Sequence, residues 1–335
     1  MEKLSDKIFM EDIEQKATRD GFGEGLVILG EENENIVGLS ADVSNSCKMN
    51  FFAEKFPKRF FQVGVAEQNL VGVAAGLAVS GKIPFIAAYS VFSPGRTLEQ
   101  IRTTIAYNDA NVKIAGHHAG LLTGFDGATH QALEDIAIMR TIPNMKVVVP
   151  VDAIEAKKAT IFSAKINGPV YLRFTREKTS VFTTEETPFI IGKAEIFWDS
   201  SATLGLKKPD VLIIGCGPIL YNALLAAKEL EKEKISVIVL NNHTIKPLDE
   251  NKIIGLAKKC GAVVSVEEHS ILGGLGGAIA ELLAKSYSVP MEFVGTKDVF
   301  GESAAPKDLF KKYGLEPKDI ISAVKKVIKR KKQPR

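Results

Sequence analysis

The stretch NVKIAGHHAGLLTGFDGATHQALEDIAIMRTIPNMKVVVP, residues 111–150, contains one complete strand-loop-helix-strand pattern. Its two ends, 111–118 and 145–150, are short apolar runs that predict buried strands. A glycine-rich loop and a helix-length segment separate them. Consecutive buried strands joined by a helix are typical of an α/β protein with a largely parallel sheet.

The same alternation extends along the chain in both directions. Further strand-like runs lie at 36–40, 82–90, 169–174, 210–215, 235–241, 262–269 and 291–295. A polar stretch rich in Thr, Glu and Pro interrupts the pattern after the first group. We therefore predict two doubly wound α/β domains, with the first at 1–185, a linker at 186–208, and a smaller second domain at 209–335.

The composition is that of an ordinary globular protein. Of 335 residues, 45% are hydrophobic and 25% are charged, and the net charge is +3. So small a charge gives no reason to expect a nucleic-acid or membrane partner, and no apolar run reaches the roughly 18 residues of a membrane span. The three distant cysteines, Cys47, Cys216 and Cys260, argue against a disulfide framework and favour the reducing cytoplasm. We interpret the basic tail, 325–335, as a solvated helix end.

Two glycine-rich segments are similar to nucleotide-binding loops, but each departs from the motif. In GLAVSGKI (76–83), Ile83 stands where a phosphate loop needs Ser or Thr to bind magnesium. In GCGPIL (215–220), Leu220 replaces the third glycine, and no acidic residue follows the next strand to bind a ribose. Neither segment predicts a nucleotide site.

The histidines do not have the spacing of metal ligands. His117, His118 and His130 lack the spacing of zinc-binding helices, and the cysteines are not paired. We therefore predict no metal ligand in this chain. His243 and His269 lie at or just after strand ends in the second domain and are interpreted as polar residues satisfied at a strand edge or an interface.

The loop that follows the strand at 111–118 carries a strong functional signal. Open α/β sheets place ligands at the carboxyl ends of their strands, where this loop lies. Its glycines allow a ligand to approach the backbone, and its polar side chains can bind a polyhydroxylated substrate through His118, Asp126 and His130. A polar surface loop that caps the next helix through Thr129 is the alternative interpretation.

A second signal is Glu67, which stands among valines, alanines and glycines in VGVAEQNLVGVAAG (63–76). An ionised carboxylate loses several kcal/mol of hydration in apolar surroundings unless a partner compensates. We therefore expect a specific group to meet this side chain.

Together these motifs resemble the C-terminal half of transketolase, and the resemblance covers nearly the whole chain. The segments that carry it are VGVAEQN (63–69), YSVF (89–92), the stretch at 117–145, RFTRE (173–177) and VEEHSILGGLGG (266–277). The resemblance implies a pyrimidine-binding thiamine diphosphate domain followed by the smaller transketolase C-terminal domain. It also implies transfer of a two-carbon ketol unit between sugar phosphates.

The resemblance assigns the cofactor contacts. In that family a glutamate, here Glu67, shares a proton with a ring nitrogen of the cofactor's aminopyrimidine and is catalytic. Tyr89 and Phe92 match aromatic residues that pack around the same ring. Two positions depart from the family pattern: Gly95 replaces a third ring-contacting residue, and Phe125 replaces an acidic residue.

The resemblance also assigns the substrate contacts. The residues that it implies for the sugar phosphate are His118, Arg176, Arg19 and Ser46. Arginine suits this role because its planar fork binds phosphate oxygens in pairs. Asp126 matches the residue that binds the hydroxyl beside the carbonyl carbon, and His130 matches a catalytic histidine close to the reacting centre.

The family's Gly-Asp-Gly segment, which holds magnesium and the cofactor's diphosphate, is not found in this sequence. We therefore expect an N-terminal transketolase subunit to supply the Mg²⁺ (or Ca²⁺) site, in a heterotetramer of two copies of each chain. The alternatives are the beta subunit of a 2-oxoacid dehydrogenase first component, or a non-catalytic transketolase-like subunit. The segment DGATHQALEDIAIMR (126–140) favours transketolase.

Overall fold

Two open sheets form the framework of the computed structural model, which describes residues 3–332. The strands are β1 (Gln15–Lys16), β2 (Ile36–Ser40), β3 (Phe60–Gln62), β4 (Ile83–Tyr89), β5 (Lys113–His117), β6 (Lys146–Val148), β7 (Val170–Arg173), β8 (Thr179–Ser180), β9 (Glu195–Asp199), β10 (Val211–Gly215), β11 (Val237–Asn241), β12 (Thr244–Lys246), β13 (Val263–Ser270) and β14 (Met291–Thr296). The α-helices are α1 (Thr18–Glu32), α2 (Asn50–Lys55), α3 (Glu67–Val79), α4 (Leu98–Gln100), α5 (Asp135–Thr141), α6 (Ala153–Ala164), α7 (Leu220–Lys232), α8 (Glu250–Cys260), α9 (Leu275–Ser286), α10 (Pro306–Tyr313) and α11 (Pro317–Lys332). Short 3₁₀ helices lie at Pro57–Arg59 and Leu121–Asp126, and a π-helical turn, Ile101–Ala106, continues α4.

The first sheet confirms the predicted parallel α/β architecture. Its seven strands run in the order β12-β6-β7-β5-β4-β2-β3, and all neighbours are parallel except β12 and β6. Every residue of β2, β5 and β7 is buried, as expected for strands covered on both faces. The carboxyl ends of β7, β5, β4 and β2 therefore lie side by side along one edge of the sheet.

The second sheet has five strands in the order β14-β13-β10-β11-β9, which are parallel except for β9. β9 falls inside the segment predicted to be a linker, 186–208, so part of that segment belongs to the second sheet. Trp198 of β9 is buried and packs edge-on against Phe9 at 5.6 Å. The domain limits themselves stay a prediction.

The two sheets are joined by more than the connecting chain. β12 follows β11 of the second sheet, yet it pairs antiparallel with β6 of the first, with Thr244 opposite Val148. Since His243 directly precedes β12, it is buried at this junction, where it stacks on Phe189 at 4.2 Å and contacts the Thr244 hydroxyl through Nδ1. Burial lowers the pKa of His243 to about 3, so its ring is neutral.

His269 is also buried at the junction of the two sheets. Its Nδ1 donates to the carbonyl of Ser270 at 2.7 Å, and its Nε2 accepts from the backbone N–H of Ala137 at 3.4 Å. Both histidines thus lie at an interface, and His269 is satisfied there, whereas His243 Nε2 has no hydrogen-bond partner among the described residues.

The packing of α1 on α6 places the start of α1 at the carboxyl edge of the first sheet. Glycines allow the two helices to approach closely, because a side chain on Gly21 would lie 1.9 Å from the carbonyl oxygen of Ala153. The Thr18 hydroxyl accepts the backbone N–H of Thr175, just beyond β7, at 2.8 Å. These contacts bring Arg19 to the loops after β2 and β5.

No described helix combines the length and the apolar character that crossing a membrane requires. The three cysteines are unpaired and buried. The basic residues up to Lys332 lie at the end of α11, as predicted, but this end is only partly solvated, because Lys331 Nζ donates to the backbone carbonyls of Asp210 and Cys260. On its other face α11 buries Ile320, Val324 and Val327. Residues 333–335 of the basic tail lie outside the described residues.

Candidate active site

The structure brings the predicted site residues to one edge of the first sheet. Tyr89 ends β4, His118 follows β5, Arg176 follows β7, and Ser46 lies in the loop after β2. These strands are neighbours and parallel, so their loops converge on a single cleft.

His118 is the centre of an arginine-histidine cluster. Arg19 Nη1 lies 3.1 Å from His118 Nε2 and donates to the backbone carbonyl of Ser46 at 2.9 Å. The His118 ring stacks on Tyr89 with 4.2 Å between centroids. His118 has a φ of 51°, a left-handed conformation that is uncommon for residues other than glycine, and the stacking holds it there. Ser46, which was predicted to belong to the phosphate clamp, takes part through its backbone carbonyl.

The cluster leaves two buried nitrogens without partners. Burial and the nearby Arg19 charge lower the pKa of His118 to about 3, so the ring is neutral. Its Nε2 faces both an N–H of Arg19 and, at 3.3 Å, the carbonyl oxygen of Ser46, so the tautomer depends on which of the two it bonds. Among the described residues, His118 Nδ1 and Arg19 Nε have no hydrogen-bond partner. Arg19 Nε is always a donor, and an unsatisfied guanidinium donor suits an anionic ligand.

Arg176 and Asp126, which were each predicted to contact substrate, are bound to one another. Arg176 Nη1 donates to Asp126 Oδ1 at 2.6 Å and to the carbonyl of Thr123 at 3.2 Å. Both side chains are about one-third exposed. Their place at the mouth of the cleft agrees with the prediction, and their substrate roles stay predictions.

His130 lines the same cleft. Its ring is half-buried and meets Phe92 edge-on at 5.4 Å and Tyr89 at 6.2 Å. Its Nδ1 lies 2.9 Å from the hydroxyl of Thr129. The alternative in which Thr129 caps the next helix is wrong, because α5 begins at Asp135.

Glu67 begins α3, and the residue that meets it within the chain is Arg96. Glu67 is 4% exposed and lies at the helix N-terminus, where the helix dipole favours negative charge. Arg96 Nη1 donates to Glu67 Oε2 at 2.7 Å, and the Arg96 guanidinium lies 4.7 Å from the centre of the Phe92 ring. Arg96 had no predicted role, although it directly follows the position where the family pattern breaks.

The departure from the family pattern at Gly95 has a steric cause. A side chain at this position would lie 2.2 Å from the carbonyl oxygen of Val91, so the loop excludes a third aromatic residue. The Tyr89 and Phe92 rings are nearly parallel, at 23° and 6.1 Å between centroids. Arg96 therefore places a planar group with N–H donors between Phe92 and Glu67.

These residues fit an aminopyrimidine. A flat ring in the place of the Arg96 guanidinium would lie against the Phe92 face and within hydrogen-bond distance of Glu67. Among residues 3–332, no three His, Cys, Asp or Glu side chains gather closely enough to hold a metal ion.

The fold and the cleft define a two-domain α/β protein whose candidate ligand site lies at the carboxyl edge of its first sheet. Residues 14–181 match the family model of the transketolase pyrimidine binding domain, and residues 202–320 match that of the transketolase C-terminal domain. The chain belongs to the transketolase family.

Its relatives include proteins of similar length. It is 44% identical to a putative transketolase C-terminal section of Methanocaldococcus jannaschii, over 94% of this chain and 97% of that protein. It is 38% identical to a 6-deoxy-6-sulfo-D-fructose transketolase subunit of a Clostridium species, over 95% and 97% of the two chains. A solved split gene transketolase, an inactive beta4 tetramer, superposes with a TM-score of 0.86 at 45% identity and covers 94% of this chain and 99% of its own.

Proposed function

We propose that this chain is the C-terminal subunit of a thiamine-diphosphate-dependent transketolase that moves a two-carbon ketol unit between sugar phosphates. It is active only with an N-terminal partner subunit, which holds Mg²⁺ and the cofactor's diphosphate. The observation that carries the proposal is the pairing of buried Glu67 with the Arg96 guanidinium, a planar cation that lies over the Phe92 ring.

Glu67 and the aromatic residues hold the cofactor's ring in this proposal. Glu67 Oε2 binds the ring nitrogen and shares a proton with it, in the place that Arg96 Nη1 occupies in the free chain. Burial of Glu67 strengthens that hydrogen bond because water does not compete for it. Thiamine diphosphate, when bound, supplies the carbon nucleophile that accepts the two-carbon unit.

The arginine-histidine cluster binds the anionic end of the sugar. Arg19 and Arg176 provide positive charge, Arg19 Nε is a donor without a partner among the described residues, and the neutral His118 ring leaves Nδ1 free to bond the ligand. A tetrahedral anion, either phosphate or the sulfonate in the name of the Clostridium relative, can accept several of these donors at once. Asp126 accepts from a substrate hydroxyl, and His130 moves a proton at the reacting carbon.

The need for a partner is supported by the surface of α3. Valines are exposed just before α3 and along it, with Val65 at 74%, Val73 at 36% and Val79 at 81%. The spaces beside Gly72 and Gly76 on the same helix are open. An apolar helix face with small residues permits close packing of a second chain. Beta chains alone form an inactive tetramer in the solved split gene relative.

The chain's three free cysteines support a reducing compartment, and we propose that the enzyme works in the cytoplasm.

The test is a reconstitution with the purified N-terminal transketolase subunit of the same organism. With thiamine diphosphate and Mg²⁺, the mixture should transfer two carbons from xylulose phosphate to an aldose phosphate, and the chain alone should give no turnover. Robust activity of the chain alone would contradict the split-subunit proposal. Oxidative decarboxylation of a 2-oxoacid with no ketol transfer would support the dehydrogenase alternative.

A further inference from the structure

The loop from His118 to Gln131, called the substrate loop below, is in direct contact with the second domain. Glu268, on β13 of the second sheet, accepts the backbone N–H of Leu122 at 2.6 Å through Oε1. Glu268 is 2% exposed. A side chain on Gly120 would come within 2.3 Å of the same carboxylate oxygen, so loop and strand are in van der Waals contact.

Further contacts hold the rest of the substrate loop against the second domain. The Ser303 hydroxyl donates to the carbonyl of Phe125. Gln131 Nε2 donates to the carbonyl of Glu302 at 2.9 Å, and to that of Gly124 at 3.0 Å within the loop. The loop's conformation therefore depends on a domain that supplies none of the residues predicted to touch the substrate.

Arg173 ties this contact to the first sheet. Arg173 Nε donates to both carboxylate oxygens of Asp135, at 2.9 and 3.2 Å, where α5 begins. Its Nη2 donates to the backbone carbonyls of Glu268 at 3.0 Å and Ala132 at 3.3 Å. The guanidinium is almost fully buried, so these partners are fixed relative to each other.

We propose that Glu268 is a positioning residue, through which the second domain holds the substrate loop in the shape that binds sugar phosphate. The inference rests on the proposed function, because the substrate loop carries His118, Asp126 and His130. Glu268 acts on the substrate loop through the hydrogen bond that the backbone N–H of Leu122 donates to its carboxylate. Loss of its acceptor leaves a buried N–H unsatisfied, which the loop relieves by moving.

The test compares variants of Glu268 in the reconstituted enzyme. Glu268→Ala should raise KM for the ketose phosphate roughly tenfold to a hundredfold while kcat changes less, because a buried hydrogen bond to a carboxyl group is lost outside the reacting centre. Glu268→Gln keeps an oxygen acceptor for Leu122 and should retain a KM close to that of the wild type. Glu267→Ala is the matched control.

Glu267 is equally buried on the same strand, but its carboxylate accepts the N–H groups of Leu275 and Gly276 at the start of α9. Its removal should lower thermal stability without raising KM. If Glu268→Ala does not fold, Glu268→Asp takes its place, since it keeps a negative charge near Arg173 but is too short to reach Leu122.

Amide hydrogen exchange of the isolated chain gives a readout that needs no catalysis. Residues 118–131 should exchange faster in Glu268→Ala or Glu268→Asp and not in Glu267→Ala. Unchanged KM and unchanged exchange in the Glu268 variants would overturn the inference, as would an equal rise in KM in the Glu267 control. A wild-type complex without ketol transfer would instead overturn the proposed function.

Discussion

Arg96 and Glu67 form an ion pair at 2.7 Å in which the carboxylate is buried and the guanidinium is half exposed. The same guanidinium lies over Phe92. The free chain thus satisfies its buried acid with a side chain that can swing out to solvent. Under the proposed function, Arg96 has to leave before a cofactor ring can take its place.

Replacement of Arg96 by Ala is therefore expected to tighten cofactor binding in the reconstituted enzyme. A half-exposed ion pair contributes about 1 kcal/mol or less, so the apparent Kd for thiamine diphosphate should fall by at most roughly fivefold. The isolated variant should lose a similar amount of stability, since Glu67 stays buried without its partner. Isothermal titration calorimetry measures the first effect and urea unfolding the second.

Arg102→Ala is the control for this prediction, because Arg102 is exposed on the same segment. Arg102→Ala should leave both the apparent Kd for thiamine diphosphate and the stability of the isolated chain unchanged. Weaker cofactor binding in Arg96→Ala would mean that Arg96 supports the cofactor instead of competing with it.

Glu67→Ala should lower kcat by roughly 10²-fold to 10⁴-fold, the usual contribution of a positioned acid or base. Association with the partner subunit, followed by size-exclusion chromatography, should be unaffected. Gln68→Ala changes the next, exposed residue and should leave kcat intact. A near-normal rate in Glu67→Ala would remove this residue from the chemistry.

Arg176→Ala should raise KM for a ketose phosphate roughly tenfold to a hundredfold, since a charge-assisted contact to the phosphate is lost. A non-phosphorylated ketose should react equally well with variant and wild type. Lys178→Ala, at an exposed position beyond the cleft, should behave as wild type with both donors. An equal loss with both ketoses would show that Arg176 acts on something other than the phosphate.

A charge on the exposed face of α3 should block assembly with the partner. Val73→Asp adds a carboxylate to an apolar face that the proposal buries, and desolvation of an unpaired charge opposes that burial. Light scattering of the mixed subunits should show the separate chains. Met10→Asp, at a residue that is 58% exposed, is the control and should assemble normally.

Glu155 predicts a pH effect on stability. Burial and the neighbouring Asp152 raise the pKa of Glu155 to about 8, above the value near 4.5 of an exposed glutamate. The unfolded chain loses this proton at lower pH than the folded chain does, so the group's contribution to stability falls as pH rises from about 5 to about 8. Above that range the contribution of Glu155 to stability no longer changes with pH.

Glu155→Gln does not titrate, so its melting temperature relative to the wild type should rise over the same pH range. The amide can be accommodated, because Glu155 accepts from Val151 N–H and Asn241 Nδ2, and Asn241 Oδ1 has no partner among the described residues. A flip of Asn241 would satisfy the new donor. If the melting temperatures of the two proteins changed in parallel from pH 5 to pH 9, this would contradict the raised pKa of Glu155.

The α/β architecture was predictable from the sequence, and so was the convergence of the candidate site residues at one edge of the first sheet. The short apolar runs at 36–40, 111–118 and 210–215 form buried parallel strands, since a continuous apolar run indicates that both faces of a strand are covered. The loop at the carboxyl end of β5 carries His118, Asp126 and His130 to the cleft, because the strand's direction determines where its loop lies. In the same way, the directions of the neighbouring strands β4 and β7 place Tyr89 and Arg176 at this edge of the sheet.

Only the tertiary structure decided which side chains are partners. Arg96 and Glu67 are 29 residues apart, and Glu268 lies 146 residues from Leu122. β12 leaves its own domain to complete the first sheet, and β9 occupies the expected linker. Hydrophobic periodicity describes which face of an element is buried, but a pair of distant polar groups forms only when packing brings them together, and no local pattern encodes that distance.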